Sequence, residues 1–169
     1  MQDLEHAGYQ FEAAEASFEL LLRRQIGRHR RFFDLMHYRV EVARTDGQAP
    51  IAEATVKLKV NETTEHTVAE GNGPVDALNQ ALRRAIRSHF PAVEEVHLID
   101  YKVRVINARA ETAAAVRVVV EWRRDLPDGG RERFGTIGVS SNIIDASWQA
   151  ITDAYEYHLV HVEEARADR

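Results

Sequence analysis

The sequence predicts an α+β domain of two pseudo-symmetric βββα units, with antiparallel sheets on one side and helices packed on the other, behind an N-terminal helical segment. Two observations carry this. A short pattern occurs twice: YRVEV at Tyr38–Val42 returns as YKVRV at Tyr101–Val105. Downstream of each copy a turn runs into a helix, HTVAEGNGPVDALNQAL from His66 to Leu82 and GTIGVSSNIIDASWQAI from Gly135 to Ile151. Laid together, Thr67 matches Thr136, Gly73 matches Asn142, Asp76 matches Asp145, Ala77 matches Ala146 and Ala81 matches Ala150. A repeat of this length marks one duplicated supersecondary unit. Such a two-unit domain points to a binding or pairing module.

The elements follow in order. Residues 3–26 read as helix, with Phe11, Ala14, Phe18, Leu21 and Leu22 at helical spacing, a break at Gly8 and a stop at Gly27. This apolar face is wide for a terminal helix, so it is expected to meet the following domain, a partner chain or a part not represented in the sequence. Met36, Tyr38, Val40 and Val42 alternate with polar residues as a first strand, and Thr45-Asp46-Gly47 makes a turn. Ala54, Val56, Leu58 and Val60 form a half-buried second strand, and a third covers about 65–69. A helix follows with Val75, Leu78, Leu82 and Ile86 on one stripe, stopping before Pro91. The second unit repeats this order. Its first strand holds Ile99, Tyr101, Val103 and Val105, and its second holds Ala114, Val116, Val118, Val120 and Trp122. A Pro-Asp-Gly-Gly turn lies within 126–131, and a third strand covers 133–139. The last helix buries Ile144, Trp148, Ile151, Tyr155 and Leu159, and the charged residues beyond His161 are expected to fray.

Composition narrows the function. The 169 residues suffice for one good core. With no cysteine, disulfides and thiolate zinc sites are excluded, and the composition fits the cytoplasm. A net charge of −5 argues against a broad phosphate-binding surface and so against nucleic acid. The basic run Arg23, Arg24, Arg28, Arg30 and Arg31 reads as a solvated helix end or an interdomain linker. No apolar run approaches the roughly 20 residues that span a bilayer, and the acidic, polar start MQDLEHAGYQ is not a signal peptide.

The two strand-to-helix turns are the best candidates for chemistry. Gly71-Asn72-Gly73-Pro74 puts proline at the first helical position with Gly73 as N-cap, and Asn142 caps the second helix with Asp145 three residues on. Both patterns are good capping. They are also potential anion sites, because free backbone N–H groups at a helix start attract a carboxylate or phosphate. The Lys-Ser/Thr of a phosphate loop and the full GxGxxG spacing are missing, so nucleotide binding gains no support. The eight histidines are scattered without metal-ligand spacing, and no nucleophile elbow or triad order is present. No catalytic residue and no metal site can be named, which leaves a complete small enzyme without a catalytic constellation.

These residues resemble the C-terminal part of the 2-isopropylmalate synthase/citramalate synthase family. GYQFEAAEASFELLLRR is similar to the family's linker subdomain, and AEGNGPVDALNQALR, VHLIDYKVRVI and GTIGVSSNIIDASWQAI to its regulatory domain, in the family's order over about residues 3–160. SFELL and SSNIIDASWQAI look more like the citramalate synthase branch. The resemblance implies a linker remnant over 1–30, a regulatory and dimerisation domain over 31–162 with units of about 31–91 and 92–162, and a frayed tail over 163–169. It implies a homodimer that binds leucine or isoleucine near the dimer interface and inhibits a distant active site. Catalysis, a condensation of acetyl-CoA with a 2-oxo acid, belongs to a metal-dependent barrel that this chain does not include. The chain is therefore expected to bind and regulate without catalysing, with no cofactor of its own. The barrel supplies the divalent metal and acetyl-CoA sites.

Carried over residue by residue, the implied effector pocket takes Leu98, Tyr101 and Val105 from the second unit's first strand and Ala115 from the next. Ser140 and Asn142 come from the second turn, and Gly73 and Pro74 from the first. Leu98 and Tyr101 are three residues apart, so a regular strand would put them on opposite faces. A bulge near Ile99-Asp100 or entry from a loop is required for both to line one pocket. Tyr101 reads equally as a core aromatic. The alternative function is a purely structural dimerisation module without a ligand.

Overall fold

In a computed structural model of the chain, residues 14–106 and 115–168 are described. The expected helix over 3–13, with its Gly8 break and Phe11, lies outside the described residues, as does Ala114. Two compact units form. One is Arg31–Glu94; the other joins the segment up to Arg30 with the chain from Glu95 onward.

The first unit holds β1 (Asp34–Ala43), β2 (Ile51–Val60), β3 (Thr63–Gly71) and α2 (Pro74–Ile86), in an antiparallel sheet of order β1-β2-β3. The Asp46-Gly47 turn closes as expected: Gln48 N–H donates to the Thr45 carbonyl at 3.0 Å, and Gly47 takes φ of +74°. Every second residue of β2, from Ala54 to Val60, is fully buried beneath Leu78, Leu82 and Ile86. The alanines at 77, 81 and 85 are fully buried as well, so helix and sheet approach closely. A Cβ at Gly71 would lie 2.3 Å from the Ala77 nitrogen, which leaves room only for glycine there. Phe32 and Phe90 meet edge to face at 5.5 Å.

The second unit holds β4 (Val96–Ile106), β5 (Ala115–Asp125), β6 (Arg131–Ser140) and α3 (Ile143–Ala167), again with sheet order β4-β5-β6. Its core centres on Trp122, which donates from Nε1 to Thr136 Oγ1 at 2.8 Å and packs against Tyr155 and Phe134. A Cβ on Gly138 would fall 1.8 Å from the Ala146 carbonyl oxygen, so α3 rests directly on β6.

The duplication reaches details that the alignment does not show. Each first strand carries a register shift two residues before its tyrosine, at Met36 in β1 and Ile99 in β4. Gln80 and Gln149 both donate to the aspartate one turn earlier, Asp76 and Asp145. In both units the helix packs chiefly on the second and third strands. The helix-side residues of the first strand are left thinly covered. Val42 is 54% exposed in β1, and Val103 and Val105 are 38% and 66% exposed in β4.

The N-terminal segment differs from the expectation drawn from its charge. Helix α1 (Glu15–Gln25) ends, as expected, with Gly27 at φ +69°, and Arg28 and Gly27 N–H groups close a Schellman motif on Arg23 and Arg24. Its arginines are not simply solvated. Arg23 pairs with Glu164 at 2.6 Å, Arg24 with Asp153 at 2.8 Å, and Arg30 with Glu163 at 2.7 Å. The pairing also corrects the expected frayed tail. Glu163 and Glu164 are held by the arm, and α3 continues past His161 to Ala167. Among the described residues, no helix is long and apolar enough to cross a membrane. No three His, Cys, Asp or Glu side chains among them gather to hold a metal ion.

Candidate functional site

The bulge at Ile99 solves the odd spacing of Leu98 and Tyr101. Leu98 pairs with Trp122 and Tyr101 with Val120, so both stand on the face that carries α3. Tyr101 Oη lies 3.0 Å from Ser147 Oγ, which itself donates to the Ile143 carbonyl at 2.6 Å. The Ser147 hydroxyl has one hydrogen, already given to Ile143, so Tyr101 is the donor. Tyr101 is thus tied to Ser147, one turn into α3.

Val105 pairs with Val116, and Val116 with Ser140, giving one row across three strands at the helix-start end of the sheet. Asn142 follows Ser140 directly, and its N–H donates to Ser140 Oγ at 3.2 Å. The structure therefore brings Val105, Ser140 and Asn142 to one corner. Ala115 is not part of it. It pairs with Ile106, one residue beyond that row, and alternation turns it to the opposite face.

The first unit builds the same corner. Val42 pairs with Ala52, and Ala52 with Gly71, matching Val105, Val116 and Ser140 in position. Gly73 and Pro74 follow where Asn142 and Ile143 stand in the other unit. Here the corner opens into a cleft of about 800 Å³, lined among others by Val42, Pro50, Ile51, Gly73, Pro74 and Arg84. At the matching positions Gly71 and Gly73 stand where the second unit has Ser140 and Asn142.

The two helix starts differ in what they leave for a ligand. Asn142 Oδ1 accepts from the Ile144 and Asp145 N–H groups at 2.8 and 3.2 Å, so α3 is capped by its own side chain. Gly73 offers α2 no side-chain cap. Asp76 instead reaches back to accept from Asn72 N–H at 2.9 Å, beside the cleft. The α2 start thus keeps first-turn amides with no side-chain cap from Gly73, at the positive end of the helix. Sequence reasoning treated the two turns as equals; the cap residue at the matched positions, Gly73 against Asn142, was the signal that separates them.

Similarity to known proteins bears on this arrangement. Residues 12–159 match the family model described as the LeuA allosteric (dimerisation) domain. The chain is 48% identical over 171 residues to the (R)-citramalate synthase of Geobacter sulfurreducens, covering 100% of this chain and 31% of that protein. It is also 48% identical over 165 residues to the (R)-citramalate synthase of Aquifex aeolicus, covering 97% of this chain and 30% of that one. The 2-isopropylmalate synthase of Aquifex aeolicus is 32% identical over 129 residues, covering 76% of this chain and 22% of that protein. The chain thus spans about 30% of the length of the citramalate synthases it matches and corresponds to their regulatory portion rather than to a catalytic domain. This chain belongs to the LeuA allosteric (dimerisation) domain family, on its citramalate-synthase side.

Proposed function

We propose that the chain senses a free branched-chain amino acid, isoleucine ahead of leucine. In this reading it works as a cytoplasmic homodimer and exerts feedback inhibition on an acetyl-CoA-dependent condensing enzyme to which it is joined. The observation that carries the reading is the α2 start without a side-chain cap beside a cleft of mixed lining, apolar at Val42, Pro50 and Ile51 and polar at Glu70, Asp76 and Arg84. An amino-acid effector needs an apolar slot and separate partners for its carboxylate and ammonium. Val42, Pro50 and Ile51 offer the slot. The first-turn amides after Pro74 suit the carboxylate, and turn carbonyls with Glu70 suit the ammonium. Leu98, Tyr101, Val105, Ser140 and Asn142 form the matching surface of the other unit, with Ala115 on the opposite face of its sheet. The preference for isoleucine rests on the higher identity to citramalate synthases than to 2-isopropylmalate synthases. One methyl position separates the two ligands, worth only about 1–3 kcal/mol.

The thinly covered helix-side residues of β1 and β4 are the proposed dimer surface, since exposed apolar stripes of this kind mark partner sites. Light scattering at tens of micromolar is expected to give a dimer, and Val103→Lys to weaken it by roughly 2 kcal/mol, about thirtyfold. A monomeric parent chain would contradict this part. Thermal unfolding should shift upward with isoleucine, less with leucine and least with valine, as mass action requires of a ligand that binds the folded state. A dimer without any shift would leave the structural dimerisation module as the correct reading.

A further inference from the structure

The duplication stops at one sheet edge. In the second unit α1 lies along the outer edge of β6. Ile137 N–H donates to Ser17 Oγ and Gly135 N–H to Glu15 Oε1, each at 3.0 Å. Ala16 and Leu20 of this helix are fully buried, and Ile137 of the strand is 1% exposed. On the neighbouring helix, Arg24 pairs with Asp153 at 2.8 Å and with Glu156 at 3.4 Å. In the first unit β3 is the matching edge, with His66 and Val68 at the positions of Gly135 and Ile137. There the edge is open: Val68 is 45% exposed, and His66 and Glu70 are exposed. Arg84 and Arg87, both exposed, stand where Asp153 and Glu156 do. Arg84 donates to the Val68 carbonyl at 2.8 Å, and among the described residues no carboxylate pairs with either arginine.

We propose that the β3 edge with Arg84 and Arg87 is a docking seat for an acidic helix of a partner protein. An open strand edge is a template for another chain, and α1 on β6 shows how a helix serves one in this fold. Charge decides the occupant. A second copy's α1 would bring Arg23 and Arg24 against Arg84 and Arg87, and two β3 edges placed together would bring these arginines toward their own copies. Like charges across an interface reject such partners. The fitting helix carries oxygen acceptors two residues apart near its start, as Glu15 and Ser17 do, for the His66 and Val68 N–H groups. A small apolar stripe like Ala16 and Leu20 covers Val68, and carboxylates further along meet Arg84 and Arg87. The seat belongs to the first unit alone and is independent of the effector reading. Arg84 also borders the cleft at the α2 start, whereas Arg87 does not.

The test is an amide-resolved NMR titration of the full chain with a peptide of the sequence Ala14–Gly27 carrying Arg23→Glu and Arg24→Glu. The amides of His66, Val68 and Glu70 should shift and saturate below about millimolar peptide. Those of Gly135 and Ile137, already served by α1, should stay in place. The same peptide without its substitutions should leave the β3 amides unmoved. In the chain, Arg87→Glu should weaken binding of the acidic peptide roughly tenfold or more, and Arg87→Gln by less. Arg87 is exposed, so neither change disturbs the core. Absence of β3 shifts up to about millimolar acidic peptide overturns the seat. So does equal affinity for the parent chain and Arg87→Glu, or equal binding of the unsubstituted peptide. Polyglutamate that shifts the β3 amides as strongly as the acidic helix overturns it too, since charge alone would then account for the effect.

Discussion

Tyr101 and Ser147 meet at 3.0 Å across 46 residues of sequence, joining the thinly covered first strand of the second unit to its helix one turn past the start. The bond exists because the bulge at Ile99 turns Tyr101 toward α3. Tyr101→Phe keeps the ring and removes the hydroxyl. It should cost about 0.5–1.5 kcal/mol in urea unfolding. A variant as stable as the parent would show that the hydroxyl pair contributes nothing beyond its contacts with water.

The closest approach between helix and sheet is expected to be the least tolerant point of the second unit. Gly138→Ala places a methyl group against the Ala146 carbonyl and must push α3 off β6. A loss of about 3 kcal/mol or more is expected. Gly73→Ala should cost under about 1 kcal/mol, because Gly73 is extended and a Cβ there meets open space. Equal losses at the two positions, measured by the same unfolding transitions, would contradict the packing described.

Much of this fold was legible because its signals are local. The duplicated strand and helix-start motifs, the Asp46-Gly47 turn, the Pro74 start and the Gly27 stop each depend on a few adjacent residues. The bulge was anticipated, beside entry from a loop, only because the family resemblance put Leu98 and Tyr101, at odd spacing, in one pocket. The docking of α1 was not legible, because Ser17 and Ile137 are 120 residues apart and no periodicity links them. For the same reason the basic run looked solvated and the tail looked frayed, although each is the other's counter-charge. The opposite orientation of Ala115 was available from the alternation of Val116, Val118, Val120 and Trp122, and the family likeness obscured it.

The ion-paired seam between α1 and α3 should show two opposite pH dependences. The Arg23 guanidinium, by its hydrogen bonds, holds the Glu164 carboxyl below the usual carboxylate range. A lowered folded-state value means that stability is present above the ordinary carboxylate pKa and is lost as pH falls through the lowered one. Burial pushes the Asp153 carboxyl up, and Arg24 offsets only part of that. A raised value has the reverse sign, so stability is present below the ordinary value and declines as pH rises through the raised one. Urea midpoints from about pH 3 to about pH 7 test both. The advantage of the parent chain over Glu164→Gln should grow with pH, and its advantage over Asp153→Asn should shrink. Parallel curves would contradict the assignment.

The central claim is that a branched-chain amino acid is held at the α2 start, where Gly73 leaves first-turn amides without a side-chain cap. Grafting the cap of the other unit onto this one tests it, because the new side chain competes with the ligand for the same N–H groups. Isothermal titration of the parent chain with isoleucine should give saturable binding. Gly73→Asn should weaken that binding roughly tenfold or more while raising helix and protein stability by a few tenths of a kcal/mol. Absence of binding to the parent chain up to about millimolar isoleucine, leucine or valine, a concentration that corresponds to roughly −4 kcal/mol, would contradict the claim. So would unchanged affinity in Gly73→Asn.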